Sequence, residues 1–350
     1  MNSRLQNSVT LGIYSCSHGA VDATCAALAF GMVQVYPLTS SQFITFIIIY
    51  NLLAFGTQPL FGWLADLIRD YRLTALAGMG LTALSLIAMR IHPALAIVMA
   101  GTGNAMFHVG GGAVSLAISP HRATAPGIFV APGAIGIFIG AMVGRSGPVA
   151  AWPFLVILGI LFLATIFTGH PGIVIDETAN RPAVRLPVMF GILLLFSIAV
   201  RSFAGFAAGA PYQAHHTVIL LLVLAAVAGK ALGGIVSDRF GWLAISVSAL
   251  ALAIPMLGFG WVNPVLAVGG MVLLQLTMPV TLTALWELFP RHPAFSFGLA
   301  AEALIIGAAP LFTHYRPLYR SWLLLMVLVC LSAIALYAAL KLLPQKAQGK

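Results

Sequence analysis

Ionisable side chains are scarce in this sequence, and several stand in the middle of long apolar runs. His18 and Asp22 are four residues apart, which on a helix places imidazole and carboxylate one turn apart on one face. An imidazole titrates near neutrality, so the pair is able to take up and release a proton, as relays in membrane transporters do. Asn104 and His108 repeat the i,i+4 spacing in a later run. Arg201 carries a planar fork of donors suited to carboxylate or phosphate. Its chemistry allows two roles, binding an anionic solute or pairing with Asp22. Gln275 adds an amide at comparable depth, and Lys230 and Glu302 add opposite charges that read as a salt bridge, with proton coupling through Glu302 as the alternative. Each charged group in mid-bilayer costs about 2.5–3.5 kcal/mol on insertion scales, which makes each one a functional candidate.

The runs that carry these residues dominate the chain. Hydrophobic residues make up 61% and charged residues 7%, with a mean hydropathy of +1.03. A soluble domain has about 25% charged residues, so the composition describes a polytopic membrane protein. The net charge of +9 comes from basic residues scattered singly between apolar runs, which argues against a nucleic-acid partner and for a topological role. No charged leader with a cleavage site precedes the first apolar run. Cys16, Cys25 and Cys330 lie inside apolar runs without metal-binding spacing, and neither a metal nor a cofactor is expected. The chain has no His-Glu-x-x-His or Gly-x-Ser-x-Gly pattern, so an enzyme is not expected either.

Spanning a bilayer takes roughly 20 apolar residues. Twelve such segments are predicted, near 9–35, 41–65, 73–90, 93–118, 122–144, 149–168, 187–209, 214–236, 242–261, 265–289, 293–313 and 319–342. The long polar break at 169–186, with Asp176, Glu177, Arg181 and Arg185, reads as a linker between six-helix halves at 1–168 and 187–350. With a cytoplasmic N-terminus, Arg4, Arg69, Arg72, Arg122, Arg181, Arg185, Arg239, Arg291, Lys341, Lys346 and Lys350 all lie inside, and only Arg90, Arg145, Arg316 and Arg320 outside. Both termini are therefore expected in the cytoplasm. On this topology Asp22 and Arg201 lie at similar heights, roughly 20 Å from the cytoplasmic end of their helices. Glu287, four residues before Arg291, reads as a solvated i,i+4 pair.

A short charged sequence occurs twice. Gly62-Trp63-Leu64-Ala65-Asp66-Leu67-Ile68-Arg69 is echoed 172 positions later by Gly234-Ile235-Val236-Ser237-Asp238-Arg239-Phe240-Gly241. Such recurrence implies two similar halves. Each Asp is expected to face the N-terminus of the helix that follows, whose free amides favour an anion.

The pair resembles the loop motif Gly-x-Leu-Ala-Asp-Arg-x-Gly-Arg of the major facilitator superfamily, with Leu67 in place of its Arg and Arg69 in place of its second Gly. The resemblance implies an all-α membrane protein of twelve transmembrane helices in two pseudo-symmetric six-helix bundles, working by alternating access. It places His18, Asp22, Asn104, His108, Arg201, Gln275 and Glu302 among substrate-binding or proton-coupling residues. Gly62, Asp66, Arg69, Lys230, Gly234, Asp238 and Arg239 become gating residues. Pro132, Gly133, Gly136, Gly140 and Gly144 are similar to the Gly/Pro-rich fifth-helix motif associated with antiporters. His18-Gly19-Ala20-Val21-Asp22, Gln58-Pro59-Leu60-Phe61-Gly62 and Gly101-Thr102-Gly103-Asn104-Ala105-Met106-Phe107-His108 look like the fosmidomycin-resistance group, with Val109 where that group has Pro. That likeness implies a monomeric, proton-coupled exporter of a small organic solute in the cell (inner) membrane, with import of an organic anion as the alternative.

Overall fold

A computed structural model describes residues 3–168, 187–313 and 315–343. The expected linker at 169–186 therefore lies outside the described residues. Twelve long helices follow one another: α1 (Ser3–Gly31), α2 (Ser40–Ile68), α3 (Tyr71–Ala88), α4 (Pro93–Ile118), α5 (Thr124–Ser146), α6 (Ala151–Ile166), α7 (Pro187–Gly209), α8 (His216–Phe240), α9 (Trp242–Phe259), α10 (Pro264–Leu288), α11 (Pro293–Phe312) and α12 (Trp322–Lys341). They coincide with the twelve predicted segments to within a few residues. Ten are long and apolar enough to cross a membrane. Of the other two, α6 has 16 residues, and α4 is long but is interrupted by Asn104, His108 and several glycines. Helices are what this composition permits, because a spanning segment must satisfy its own backbone polar groups.

Local chemistry sets the ends. Thr39 caps α2 in a reciprocal box, accepting from the Gln42 amide at 3.2 Å while Gln42 Oε1 accepts from the Thr39 amide at 2.9 Å. Asp70 caps α3 by accepting from the Leu73 amide at 2.9 Å. Arg72 Nη1 donates to the carbonyls of Ile166 and Thr168 at 3.1 and 3.0 Å, putting a cation on the C-terminus of α6.

The helices gather into two compact units. The first comprises the chain to Ile118 (α1–α4), α5 from Pro132, α6, and His292–Glu302 of α11. The second comprises Ser119–Ala131, α7–α10, and the chain from Ala303. The division thus runs through α5 at Pro132 and through α11 at Ala303 as well as through the polar stretch.

In the first unit α5 lies directly on α1. A methyl group added at Gly136, Gly140 or Gly144 would strike the carbonyl oxygen of Gly19, Ala23 or Ala27 in turn. The small-residue stripe seen in the sequence is therefore a close helix contact, and it holds α5 against the turn of α1 that bears Asp22. In the second unit Gly229 and Gly233 of α8 meet the carbonyls of Val272 and Leu276 of α10 in the same way.

Each loop motif passes through a residue with positive φ. Arg69 ends α2 with φ 59°, and Gly241, at the matching place after α8, has φ 96°. A side chain added at Gly241 would meet no atom within 4 Å, so the penalty there is conformational alone. Gly241→Ala is expected to destabilise the protein by about 1–3 kcal/mol, read as a lower unfolding midpoint in detergent with unchanged helix content.

Candidate functional site

The first unit buries a carboxylate among side-chain nitrogens. Asp22 is 4% exposed, and His18, Asn104 and His108 are no more than 5% exposed. One turn of α1 separates Asp22 from His18, whose Nε2 lies 3.2 Å from Asp22 Oδ2. One turn of α4 separates Asn104 from His108, and both reach across to Asp22 Oδ1. The Asn104 amide donates to it at 2.9 Å, and His108 Nε2 stands 3.6 Å from it. The two imidazoles meet edge to face with ring centroids 4.4 Å apart. The ligand atoms of His18, Asp22 and His108 all lie within 4.8 Å of one another, close enough to hold a cation. The two i,i+4 pairs singled out in the sequence thus form one cluster. Its convergence was not legible there, because the spacing on one helix says nothing about the register of the helix against it.

Arg201 of α7 belongs to the second unit and is 4% exposed. Its Nε donates to the carbonyl of Ser197 at 3.1 Å, Nη2 donates to Thr281 Oγ1 at 2.8 Å, and Nη1 donates to Thr277 Oγ1. Asp22 and Arg201, considered above as partners, are each satisfied by residues of their own unit. Gln275 lies half-buried on α10, within a turn or two of Thr277 and Thr281, and its amide nitrogen is 3.9 Å from Met271 Sδ. Lys230 lies in the second unit, whereas Glu302 lies in the first, because α11 is divided.

The carboxylates of the repeated motif bind helix N-termini, but not those of the helices that follow them. Asp66 accepts from the Ala294 and Phe295 amides at 3.1 and 2.9 Å, at the start of α11, and from Tyr71 Oη at 2.8 Å. His292 Nδ1 stands 3.8 Å from it. Asp238 accepts from the Ala123 and Thr124 amides at 2.9 Å, at the start of α5, from Thr124 Oγ1 at 2.5 Å and from Trp242 Nε1 at 2.9 Å. The glycine one turn earlier makes room in each copy. A Cβ on Gly62 would strike the Ala294 carbonyl, and one on Gly234 the Ala123 carbonyl. The expectation that each Asp serves the next helix is therefore corrected: Asp70 already caps α3, and the motif carboxylates reach helices far away in the chain. Arg69 and Arg239 are exposed, Arg239 lying over the Phe240 ring at 5.5 Å. Glu287 pairs with His121 Nδ1 at 2.7 Å, a partner the sequence did not suggest.

Comparison with solved structures gives this geometry a context. FucP, a major facilitator superfamily transporter solved in the outward conformation, superposes with a TM-score of 0.72 at 12% identity, over 93% of this chain and 97% of that one. The fold is the major facilitator fold. The E. coli fucose:proton symporter FucP, in a variant form, gives 0.68 at 10% identity over 93% and 97%, and the human organic anion transporter MFSD10 (TETRAN) gives 0.66 at 15% over 96% and 100%. No protein-family model matches the sequence, and no curated protein matches it. An all-α chain with this fold and ten helices apolar enough to span is an integral membrane protein.

The two carboxylate–helix contacts are built alike from the two copies of the repeated motif. Tyr71 and Trp242, their further donors, stand five and four residues after each Asp, a spacing that was available in the sequence. Asp66→Ala is expected to cost about 1–3 kcal/mol, because two amides and a phenol lose their acceptor. Asp66→Asn, which keeps one acceptor oxygen, is expected to cost less. Amide exchange at Ala294 and Phe295 checks both.

Proposed function

We propose that this chain is a secondary active transporter of a small organic solute that is anionic or zwitterionic. The observation that carries the proposal is Arg201. Its hydrogen bonds to Ser197, Thr277 and Thr281 use three of the five N–H donors of a guanidinium, all to uncharged groups. A buried cation held only by neutral partners keeps most of its desolvation cost, which an anionic solute would offset. The likeness to an organic anion transporter favours the same substrate class.

The energy source we propose is the proton gradient. Asp22 is a buried negative charge of the first unit, with a hydrogen bond from Asn104 and the Nε2 atoms of His18 and His108 beside it, so a coupling cation neutralises it directly there. FucP, of similar fold, is a fucose:proton symporter. Export follows from the fosmidomycin-resistance resemblance; the symporter likeness favours import of an organic anion as a second reading. Asp66 and Asp238, with Gly62 and Gly234, are the gating contacts of this reading, because a carboxylate on a helix N-terminus is an attraction that a conformational cycle can break and remake. Both termini are cytoplasmic, the chain works as a monomer, and the membrane is the cell's inner one.

Two measurements test this reading. Thermal-shift screening of purified protein against organic acids, amino acids and sugars is expected to single out anions or zwitterions, and Arg201→Lys to weaken the best of them by at least about tenfold, the loss of one charge-assisted hydrogen bond. A neutral sugar as the sole stabiliser, or unchanged affinity in Arg201→Lys, would count against the anion. In proteoliposomes Asp22→Asn is expected to abolish flux driven by a pH gradient while solute exchange persists. Unaltered gradient-driven flux in that variant removes Asp22 from coupling.

A further inference from the structure

With His108 neutral, the Asp22 cluster sets a ring lone pair against a carboxylate. His108 Nδ1 lies 2.8 Å from the carbonyl oxygen of Asn104. A carbonyl only accepts, so this nitrogen bears the ring proton, and in the neutral ring the lone pair is on Nε2. That lone pair faces Asp22 Oδ1 across 3.6 Å. On the other side, His18 Nε2 faces Asp22 Oδ2 across 3.2 Å. Asn104 donates to Asp22 Oδ1, yet its own Oδ1 is buried without a hydrogen-bond partner, so the amide is not part of a closed network. A positive charge placed among the three ligand atoms converts the repulsion to attraction.

We propose that this cluster is a binding site for one divalent first-row transition-metal ion, ligated by His18 Nε2, His108 Nε2 and an Asp22 carboxylate oxygen. Two imidazoles with one carboxylate suit zinc, cobalt, nickel or copper, whereas calcium and magnesium prefer oxygen-only sets. Zinc binds nitrogen and oxygen at about 2.0–2.1 Å, which places tetrahedral ligand atoms roughly 3.3 Å apart. His18 Nε2 stands 3.2 Å from Asp22 Oδ2 and His108 Nε2 3.6 Å from Asp22 Oδ1, and one ligand atom from each residue lies within 4.8 Å of the others, so small side-chain shifts close the set to that spacing. The bond from His108 Nδ1 to a backbone carbonyl is the outer contact that orients metal-binding imidazoles and makes them more basic. On α5, a Cβ on Gly133 would come 2.5 Å from His18 Nε2 and 2.6 Å from Asp22 Oδ2, so only glycine lets α5 pack this closely without displacing the ligands. The inference goes beyond the transport reading, since it asks for metal at the atoms where that reading asks only for a proton.

Cobalt(II) is a probe with its own signal. Tag-free protein in lipid nanodiscs, titrated with Co2+ at fixed neutral pH, is expected to bind one ion per chain with visible d–d absorption, and Zn2+ to displace it. His18→Ala, His108→Ala and Asp22→Asn are each expected to weaken binding by at least about tenfold, a change that even outer-shell substitutions reach. Gly133→Ala, which keeps every ligand, is expected to weaken it by crowding. The paired substitution of the exposed neighbours His215 and His216 by Ala is expected to leave the signal unchanged. Absence of a stoichiometric ion in the wild type overturns the proposal, as does a signal that survives His18→Ala with His108→Ala or disappears with His215 and His216. Loss of gradient-driven flux in Asp22→Asn without cobalt binding in the wild type defeats the metal site and leaves proton coupling standing. Cobalt binding with gradient-driven flux untouched by Asp22→Asn does the reverse.

Discussion

Hydrocarbon offers no hydrogen bonds, and that constraint shapes every polar contact in this protein. Backbone groups must be paired within helices, and each buried side-chain donor, acceptor or charge needs a partner from the protein itself. Helix termini are the exception that the constraint creates, because their first amides have no partner of their own. Here Asp66 takes the first amides of α11, and Asp238 takes those of α5. A carboxylate and a helix N-terminus that would each be costly alone satisfy one another.

The same arrangement is made twice, by residues about half the chain apart. Gly62 and Gly234 permit the close approach; Tyr71 and Trp242 supply a further donor to each carboxylate. The loop after each motif turns through a residue with positive φ, Gly241 in one copy and Arg69 in the other. Glycine tolerates that conformation freely, and Arg69 holds it at a steric cost. The second copy thus keeps the residue that the backbone favours, while the first keeps more of the motif's apolar positions.

Charge is distributed differently from the carboxylate–helix contacts. The first unit carries a buried carboxylate ringed by imidazoles and an amide; the second carries a buried guanidinium held by hydroxyls and a carbonyl. Both centres are short of full charge compensation from their hydrogen-bond partners. Such groups are expensive to retain in a membrane protein and are kept where something charged arrives and leaves. On the readings proposed above, a proton or metal cation at Asp22 and an organic anion at Arg201 answer the same shortage.

Much of this was determined by the sequence alone. Apolar runs of bilayer length give helices in any context, so the twelve segments, the repeat of Gly62–Asp66 in Gly234–Asp238, and the buried His18, Asp22, Asn104, His108 and Arg201 were all legible from residue type and spacing. The partners were a different matter. Asp66 reaches Ala294 and Phe295 rather than its own next helix, Glu287 meets His121, and His18 and His108 close on one carboxylate. Periodicity along one helix fixes which face a residue occupies and leaves open the rotation and register of the helix packed against it. Those are decided by contacts such as Gly136, Gly140 and Gly144 against the carbonyls of α1, which exist only once the chain has folded.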